Sequence, residues 1–202
     1  MSISVSHITH IDNLASIIRQ DCLWSDAKRI ELSLVNQNIG YSHIKARRLQ
    51  RPVNVAAGGM IGEYVPFNFC PRSVMLYVIH RGHSDFADGQ ERVLHLISDT
   101  DTVRSNNQHC FFTDIHADLA YAEQIDDFSR ISELDIQRII NEKYWQDFKE
   151  EKQAEFLAYE FVQWQAIRRI GVRSQAIADE VHVLLQSARH KPVVEVRPEW
   201  YY

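Results

Sequence analysis

The sequence is poor in the residues that build metal and disulfide sites. It holds three cysteines, Cys22, Cys70 and Cys110, widely spaced and with no C-x-x-C. Neither a zinc knuckle nor a redox pair is written there, and three reduced, buried thiols in a cytoplasm are expected. H-E-x-x-H is also missing. His7 and His10 stand three apart, but no third ligand follows at usable spacing, so no metal site is expected. Glycine is scarce, seven in 202 residues. "GGMIG" at 58–62 is neither G-x-G-x-x-G nor a P-loop, which excludes those two nucleotide sites. No stretch approaches the roughly 18 apolar residues of a spanning helix, so no membrane partner is expected. "MSISVSHITHIDN" lacks the basic start and apolar core of a signal peptide. Positive charge is not in excess: 22 Lys and Arg against 27 Asp and Glu leave a net charge of −5. A whole-protein field for duplex DNA is therefore absent, although a local basic patch can still bind nucleic acid. With no repeat, no low-complexity tract and no Gly/Ser linker, residues 1–202 read as a single domain.

What is present is an ordinary globular composition, 45% hydrophobic and 24% charged. A short strand is expected near Ile3 to Val5. Asp12 follows as cap of a helix carrying Leu14, Ile17 and Ile18 on one face. Residues 25–40 read as loop, and "HIKARRLQR" after Ser42 as a short basic helix stopped by Pro52. "NVAAGGMIG" reads as a flexible connection. The middle offers four strand candidates, "EYVPFNF", "VMLYVIH", "RVLHLIS" and "HCFFTD", rich in Val, Ile, Phe and Tyr. Residues 114–153 look helical; "AEFLAYEFV" and "AIRRIGV" look like strands. "SQAIADEVHVLLQSARH" reads as an amphipathic helix and "PVVEVRPEWYY" as a closing strand. Segregated rather than alternating elements favour an α+β domain.

Three stretches could carry chemistry. The basic helix, with His43, Lys45, Arg47, Arg48 and Arg51, is either a solvated face or an anion grip, since arginine offers a rigid fork to phosphate oxygens. In "YVPFNFCPRSVMLY", Pro66 and Pro71 point to an edge or bend, where Tyr64, Phe67, Phe69 and Arg72 could stack bases and hold phosphates. In "KQAEFLAYEFV", period two puts Glu155, Leu157 and Tyr159 on one face and Phe156, Ala158 and Glu160 on the other. A strand carboxylate among apolar neighbours is either an outward charge or a functional group.

Together these pieces resemble the DarT family of DNA ADP-ribosyltransferase toxins. The matching features are "HITHIDNL", "YSHIKARR", "GG" followed by "YVPFNFCPRSVMLY", "GQE" at 89–91, "FTDIH" at 112–116, "KQAEFL" at 152–157 and the "WYY" end. They span essentially the whole chain. The resemblance implies an ADP-ribosyltransferase fold, a split mixed β-sheet core with peripheral helices and NAD+ in the cleft where the sheet parts. It implies transfer of ADP-ribose from NAD+ to thymine in single-stranded DNA, in a short sequence context. It also implies a toxin that blocks replication in a bacterial cytoplasm, paired with a DarG-like macrodomain antitoxin, in growth control or phage defence.

Residue by residue, the resemblance makes Glu155 and Arg48 the catalytic pair. His7, Ile8 and Thr9 fall where the first strand of the family meets NAD+; His10 is then structural. Ser16 and Trp24 fall near cofactor-contact positions, and the segment from about 35 to 53 matches the NAD-binding element. Arg72, His116, Met75 and Asn68 match the path of the DNA strand. Asn68 stands where an aromatic is frequent and Val74 where a proline is common, changes that bear on flanking-base preference. The family account gives Arg48 a part in removing the thymine N3 proton. A guanidinium stays charged, so holding a thymine oxygen and stabilising the developing anion, or contacting the cofactor diphosphate, are the roles its chemistry favours. Glu155 would stabilise positive charge developing on the ribose. Thymine N3 is hidden in a duplex, which favours single strands. Two other readings remain: a relative acting on another base or on RNA, and a catalytically silent nucleic-acid-binding module.

Overall fold

The computed structural model describes residues 2–202. Its core is an eight-stranded mixed sheet in the order β10-β9-β4-β1-β3-β7-β5-β6. The strands are β1 (Ser4–His10), β3 (Tyr64–Asn68), β4 (Val93–Asp99), β5 (Cys110–Thr113), β6 (Gln124–Ile125), β7 (Glu155–Tyr159), β9 (Arg169–Val172) and β10 (Val193–Val196), while β2 (Cys22–Trp24) and β8 (Phe161–Gln163) form a separate pair. Only β9 and β10 run parallel. Helices α1 (Leu14–Gln20), α2 (Asp26–Glu31), α3 (Ser42–Arg48), α4 (Val74–Arg81), α5 (Thr100–Asn106), α6 (Ile136–Asn141) and α7 (Gln175–Leu185) lie around it. This is the α+β split sheet the resemblance implies.

The split falls between β1 and β3. β1 pairs with β4 over seven residues but with β3 only at Ser6 and Asn68. Pro66 explains how a proline survives in a central strand. Its carbonyl is turned towards β1 and accepts from His7 Nδ1 at 2.8 Å. The N–H of the same residue would face the same way, into the opening, with no strand partner. Proline removes that donor.

The placement of β3 overturns one expectation. "YVPFNF" is not an edge: β3 runs between β1 and β7, and Tyr64, Phe67 and Phe69 are buried core residues. They have no face to offer a nucleic-acid base. "VMLYVIH" is helix α4 rather than a strand. Ser73, after Pro71, accepts from the Leu76 N–H at 3.2 Å and caps the first turn, and Gly82 follows the last.

Three smaller expectations also fail. Asp12 caps nothing: it sits in a short 3-10 turn, Ile11–Asn13, capped by His10, whose Nδ1 accepts from the Asp12 N–H at 3.3 Å. Residues 25–40 include α2, capped by Ser25. Residues 114–153 hold little helix beyond α6; short 3-10 turns and β6 fill the rest. There Asp127 and Asp135 bond the N–H groups of Ser129 and Arg138, local bonds that begin short turns. The glycine connection is a turn closed by Val53 N–H on Gly59 and Tyr64 O–H on Gly58, with both glycines at φ near +70°. The strand period holds within β7, where Phe156 and Ala158 join the main core cluster and Leu157 and Tyr159 a second one. The expected single strand "AEFLAYEFV" breaks at Glu160, whose left-handed backbone at φ 60° turns the chain from β7 into β8.

Candidate active site

A cavity of about 270 Å³ opens where the sheet parts. β1 brings His7, Ile8 and Thr9 to its wall, α1 brings Ser16, and β2 brings Trp24. α3 contributes Arg48, β3 Asn68, α4 Met75, and β7 Glu155; His116 arrives on the loop after β5. Residues more than a hundred positions apart thus share one space. Arg72 does not line it. Its guanidinium lies 4.3 Å from the centre of the Tyr202 ring, beside the start of α4.

Glu155 stands at the floor, 5% exposed. Asn68 is its cross-strand partner. Arg48 meets it with two bonds, Nη1 to Oε1 and Nη2 to Oε2, each 2.9 Å. The Ala117 N–H donates to Oε1 at 3.1 Å, and His116 Nε2 lies 3.7 Å from the same oxygen. Burial alone would push the Glu155 carboxyl up, but the charge of Arg48, with His116 and the Ala117 N–H, holds it below its ordinary range. Arg48 is pushed above its ordinary value by the same pair, against the opposing effect of its own burial. His7 and His116 are both lowered by burial.

The basic helix is neither a solvated face nor an open anion grip. Lys45 bonds Asp26 at 3.0 Å, Arg47 Nε bonds Asp118 at 2.8 Å, and Arg48 takes Glu155. Asp26, Asp118 and Ala117 are participants that sequence reasoning missed. Asp118 stands two residues after His116, so "HAD" was the available signal; Asp26 offered only its place at a helix start. Asn13, on the same cavity wall as Thr9 and Ser16, was also missed. Trp24 lines the cavity wall, while its Nε1 is buried with no protein partner. His10 is buried against Phe86, and its Nδ1 accepts from the Asp12 N–H. Cys22, Cys70 and Cys110 are free and buried, and burial drives Cys22 and Cys110 up to about 12. Among the described residues no three His, Cys, Asp or Glu side chains converge as a metal shell, and no helix is long and apolar enough to cross a membrane.

The profile of the family described as ssDNA thymidine ADP-ribosyltransferase, DarT, matches residues 6–202. A DNA ADP-ribosyl transferase of Thermus sp. (strain 2.9) is 38% identical over 203 residues, covering 98% of this chain and 95% of its own. One from Mycobacterium tuberculosis is 24% identical over 208 residues, covering 98% and 88%. The structure of Thermus sp. 2.9 DarT in complex with ADP-ribosylated ssDNA matches with a TM-score of 0.90 at 38% identity, over 98% of this chain and 96% of that one. The same protein in complex with NAD+ matches at 0.87 and 35%, over 98% and 97%. Fold, site and comparisons together define an NAD-dependent DNA ADP-ribosyltransferase. The chain belongs to the DarT family.

Proposed function

We propose that residues 1–202 (Met1 lies outside the described residues) form one catalytic domain that moves ADP-ribose from NAD+ to a thymine base of single-stranded DNA. Nicotinamide is released, and the reading includes a sequence context around the thymine. The observation that carries it is the buried, bidentate Arg48–Glu155 pair at the floor of a cleft in a split sheet. The family description, and the relatives bound to NAD+ and to ADP-ribosylated ssDNA, support the same substrates.

The donor side of the cavity suits a dinucleotide. His7, Ile8 and Thr9 offer a strand edge that β3 leaves free, Ser16 offers a hydroxyl, and Trp24 adds an aromatic wall. NAD+ supplies the ribosyl group and its leaving group. Glu155 is held ionised and fixed close to the ribose, where positive charge develops as the glycosidic bond breaks. Arg48 stays charged, so its part is to hold Glu155, and a thymine oxygen once the base has entered, rather than to accept the N3 proton. That proton leaves to bulk water as the bond from N3 to the ribose forms and the bond to nicotinamide breaks. His116, Asn68 and Met75 line the side by which the base enters, and Arg72 meets the strand further out on the same face. Transfer is expected to need no metal.

In the cell this activity fits a toxin whose mark a DarG-like macrodomain antitoxin removes. The Thermosipho africanus DarTG structure in complex with ADP-ribose, 20% identical with a TM-score of 0.81, shares the fold; this chain spans 51% of that one. Incubating the protein with NAD+ and a thymine-containing oligonucleotide, in chelator, tests the reading by mass spectrometry. One added ADP-ribose on DNA supports it. Preferential modification of RNA, or activity lost in chelator and restored by zinc, overturns the substrate or the metal-free claim respectively.

A further inference from the structure

We propose that Asn13 is a positioning residue that latches the cavity wall formed by residues 34–40. The inference rests on the reading of this cavity as the NAD+ site. It deepens that reading by naming what holds one wall of it.

Residues 34–39 carry no regular secondary structure, yet Leu34, Gln37, Ile39 and Gly40 line the cavity. Val35, on the same stretch, is 91% exposed and packs against little. Ile39 packs into a core cluster with Ile8 and Leu76, but the stretch before it has no such anchor and depends on discrete bonds for its place. At its far end His83 bonds the Ile39 carbonyl at 3.2 Å, and Asp85 accepts from the Ser42 N–H at 2.8 Å. At its middle the hold is Asn13. The Gln37 N–H donates to Asn13 Oδ1 at 2.7 Å, and Asn13 Nδ2 donates to the Gln37 carbonyl at 3.0 Å. A backbone N–H can only donate and a carbonyl can only accept, so the orientation of the Asn13 amide is fixed by its partner.

The second Asn13 N–H donates to Thr9 Oγ1 at 3.0 Å. The amide therefore joins the wall to β1, the strand that carries His7. Asn13 is buried. Of the genetically encoded side chains of this size only an amide offers one acceptor and two donors in that arrangement. Asp would set a carboxylate against the Gln37 carbonyl, and Ala would leave both backbone groups of Gln37 without their partner. The Gln37 side chain takes no part in the latch, since both of its bonds to Asn13 are made by the backbone.

Three variants test this. Asn13→Asp is nearly isosteric and keeps the fold measurable if Asn13→Ala does not. Gln37→Ala leaves the backbone latch intact. Without NAD+, hydrogen exchange at the Gln37 amide should speed up by about tenfold or more in both Asn13 variants and stay unchanged in Gln37→Ala. In transfer assays, the KM for NAD+ should rise by about tenfold or more in the Asn13 variants while kcat stays within about threefold, because a wall that must be ordered on binding weakens affinity rather than chemistry. Affinity for single-stranded DNA should not move. Unchanged exchange in Asn13→Asp would overturn the latch. Faster exchange with an unchanged KM, or a fall in kcat alone, would overturn its role in the NAD+ pocket. Whether the wild type modifies DNA at all is the separate test of the proposed function.

Discussion

Arg48 reaches Glu155 with both terminal nitrogens, each 2.9 Å from a different carboxylate oxygen, although 107 residues separate them in sequence. Burial makes this pair costly to form and costlier to break: removing one partner leaves an uncompensated charge. The same geometry gives it chemical use. A fork-to-fork pair fixes the plane of the carboxylate, and the Ala117 N–H fixes one oxygen further. On the proposed reading, the carboxylate that faces a developing positive charge is set before substrate arrives.

Glu155→Gln should therefore abolish most transfer, by about 10²–10³-fold or more, while circular dichroism and DNA binding stay near wild type. Both Gln and Ala leave Arg48 without its charge partner, at about 3–5 kcal/mol of stability, but Gln is the better probe because it keeps an acceptor for the Ala117 N–H. A Gln variant retaining a tenth of wild-type kcat would remove Glu155 from the catalytic role.

Arg48→Lys should be nearly as damaging. An ammonium carries the charge but cannot make two parallel bonds, so Glu155 would lose its fixed plane. A drop in kcat of about 10²-fold, with thermal stability lowered less than in Arg48→Ala, is the expected outcome. Wild-type kcat in Arg48→Lys would reduce the role of Arg48 to charge alone.

Glu160 is the control carboxylate. It follows β7, its backbone is left-handed at φ 60°, and its side chain pairs at the surface with Lys28 at 3.2 Å, away from the cavity wall. Glu160→Ala should leave transfer within about twofold, since an exposed ion pair is worth about 0–1 kcal/mol. Glu160→Gly should raise the melting temperature, because glycine relieves the left-handed strain, worth of order 1 kcal/mol. Loss of activity in Glu160→Ala would mean that the β7 register has been misassigned.

The sheet was legible where the signal was local. Alternation in β7 sorted Glu155 from Phe156, and the Val, Leu and Ile of β4 and the paired phenylalanines of β5 marked strands. The same composition misled at α4, where "VMLYVIH" is apolar on nearly every position and only the Ser73 cap and Gly82 distinguish helix from strand. Pro66 read as an edge marker because nothing local reveals that the sheet parts beside it. The Arg47–Asp118 pair and the Asn13–Gln37 latch join segments 71 and 24 residues apart, and no periodicity encodes such contacts. Of the candidate site, the family resemblance supplied the residues; only the fold brought them together, and it left Arg72 off the cavity wall.

Stability should fall early in acid. His95 is fully buried, bonded through Nδ1 to the Ser6 hydroxyl at 3.0 Å, and burial lowers it from 6.5 to about 3. The unfolded chain takes up this proton first, so the stabilising contribution is complete above about pH 6.5 and is lost as pH falls towards 3. His7, His10 and His116 are lowered by burial too and add to the same trend. Melting temperatures should decline from pH 6.5 downwards. His95→Phe should start lower at pH 7.5 and decline less steeply, so that the two curves approach each other in acid. Parallel curves would show that His95 does not carry the proton linkage.

Salt gives the last test. The three cations of α3 that could track a phosphate backbone are already bound, Lys45 to Asp26, Arg47 to Asp118 and Arg48 to Glu155. Arg47 is the most open of them, 54% exposed, and even it must share its charge with a buried carboxylate. Few phosphates can then be neutralised. For single strands the slope of log affinity against log salt is roughly −0.7 per phosphate contact, so two to four contacts give a slope of about −1.5 to −3. The rest of the affinity must come from base contacts at the mouth of the cavity, where Met75 is 36% exposed and His116 stands beside Glu155, since the "YVPFNF" aromatics are buried. His116→Ala should weaken DNA modification with NAD+ binding nearly unchanged, and Arg72→Ala should act in the same direction but less, because it lies off the cavity wall. Titrating a thymine-containing oligonucleotide against the Glu155→Gln protein at several salt concentrations measures the slope. A value steeper than about −5 would require an extended phosphate track, and the intramolecular pairing along α3 would then have to open when DNA binds.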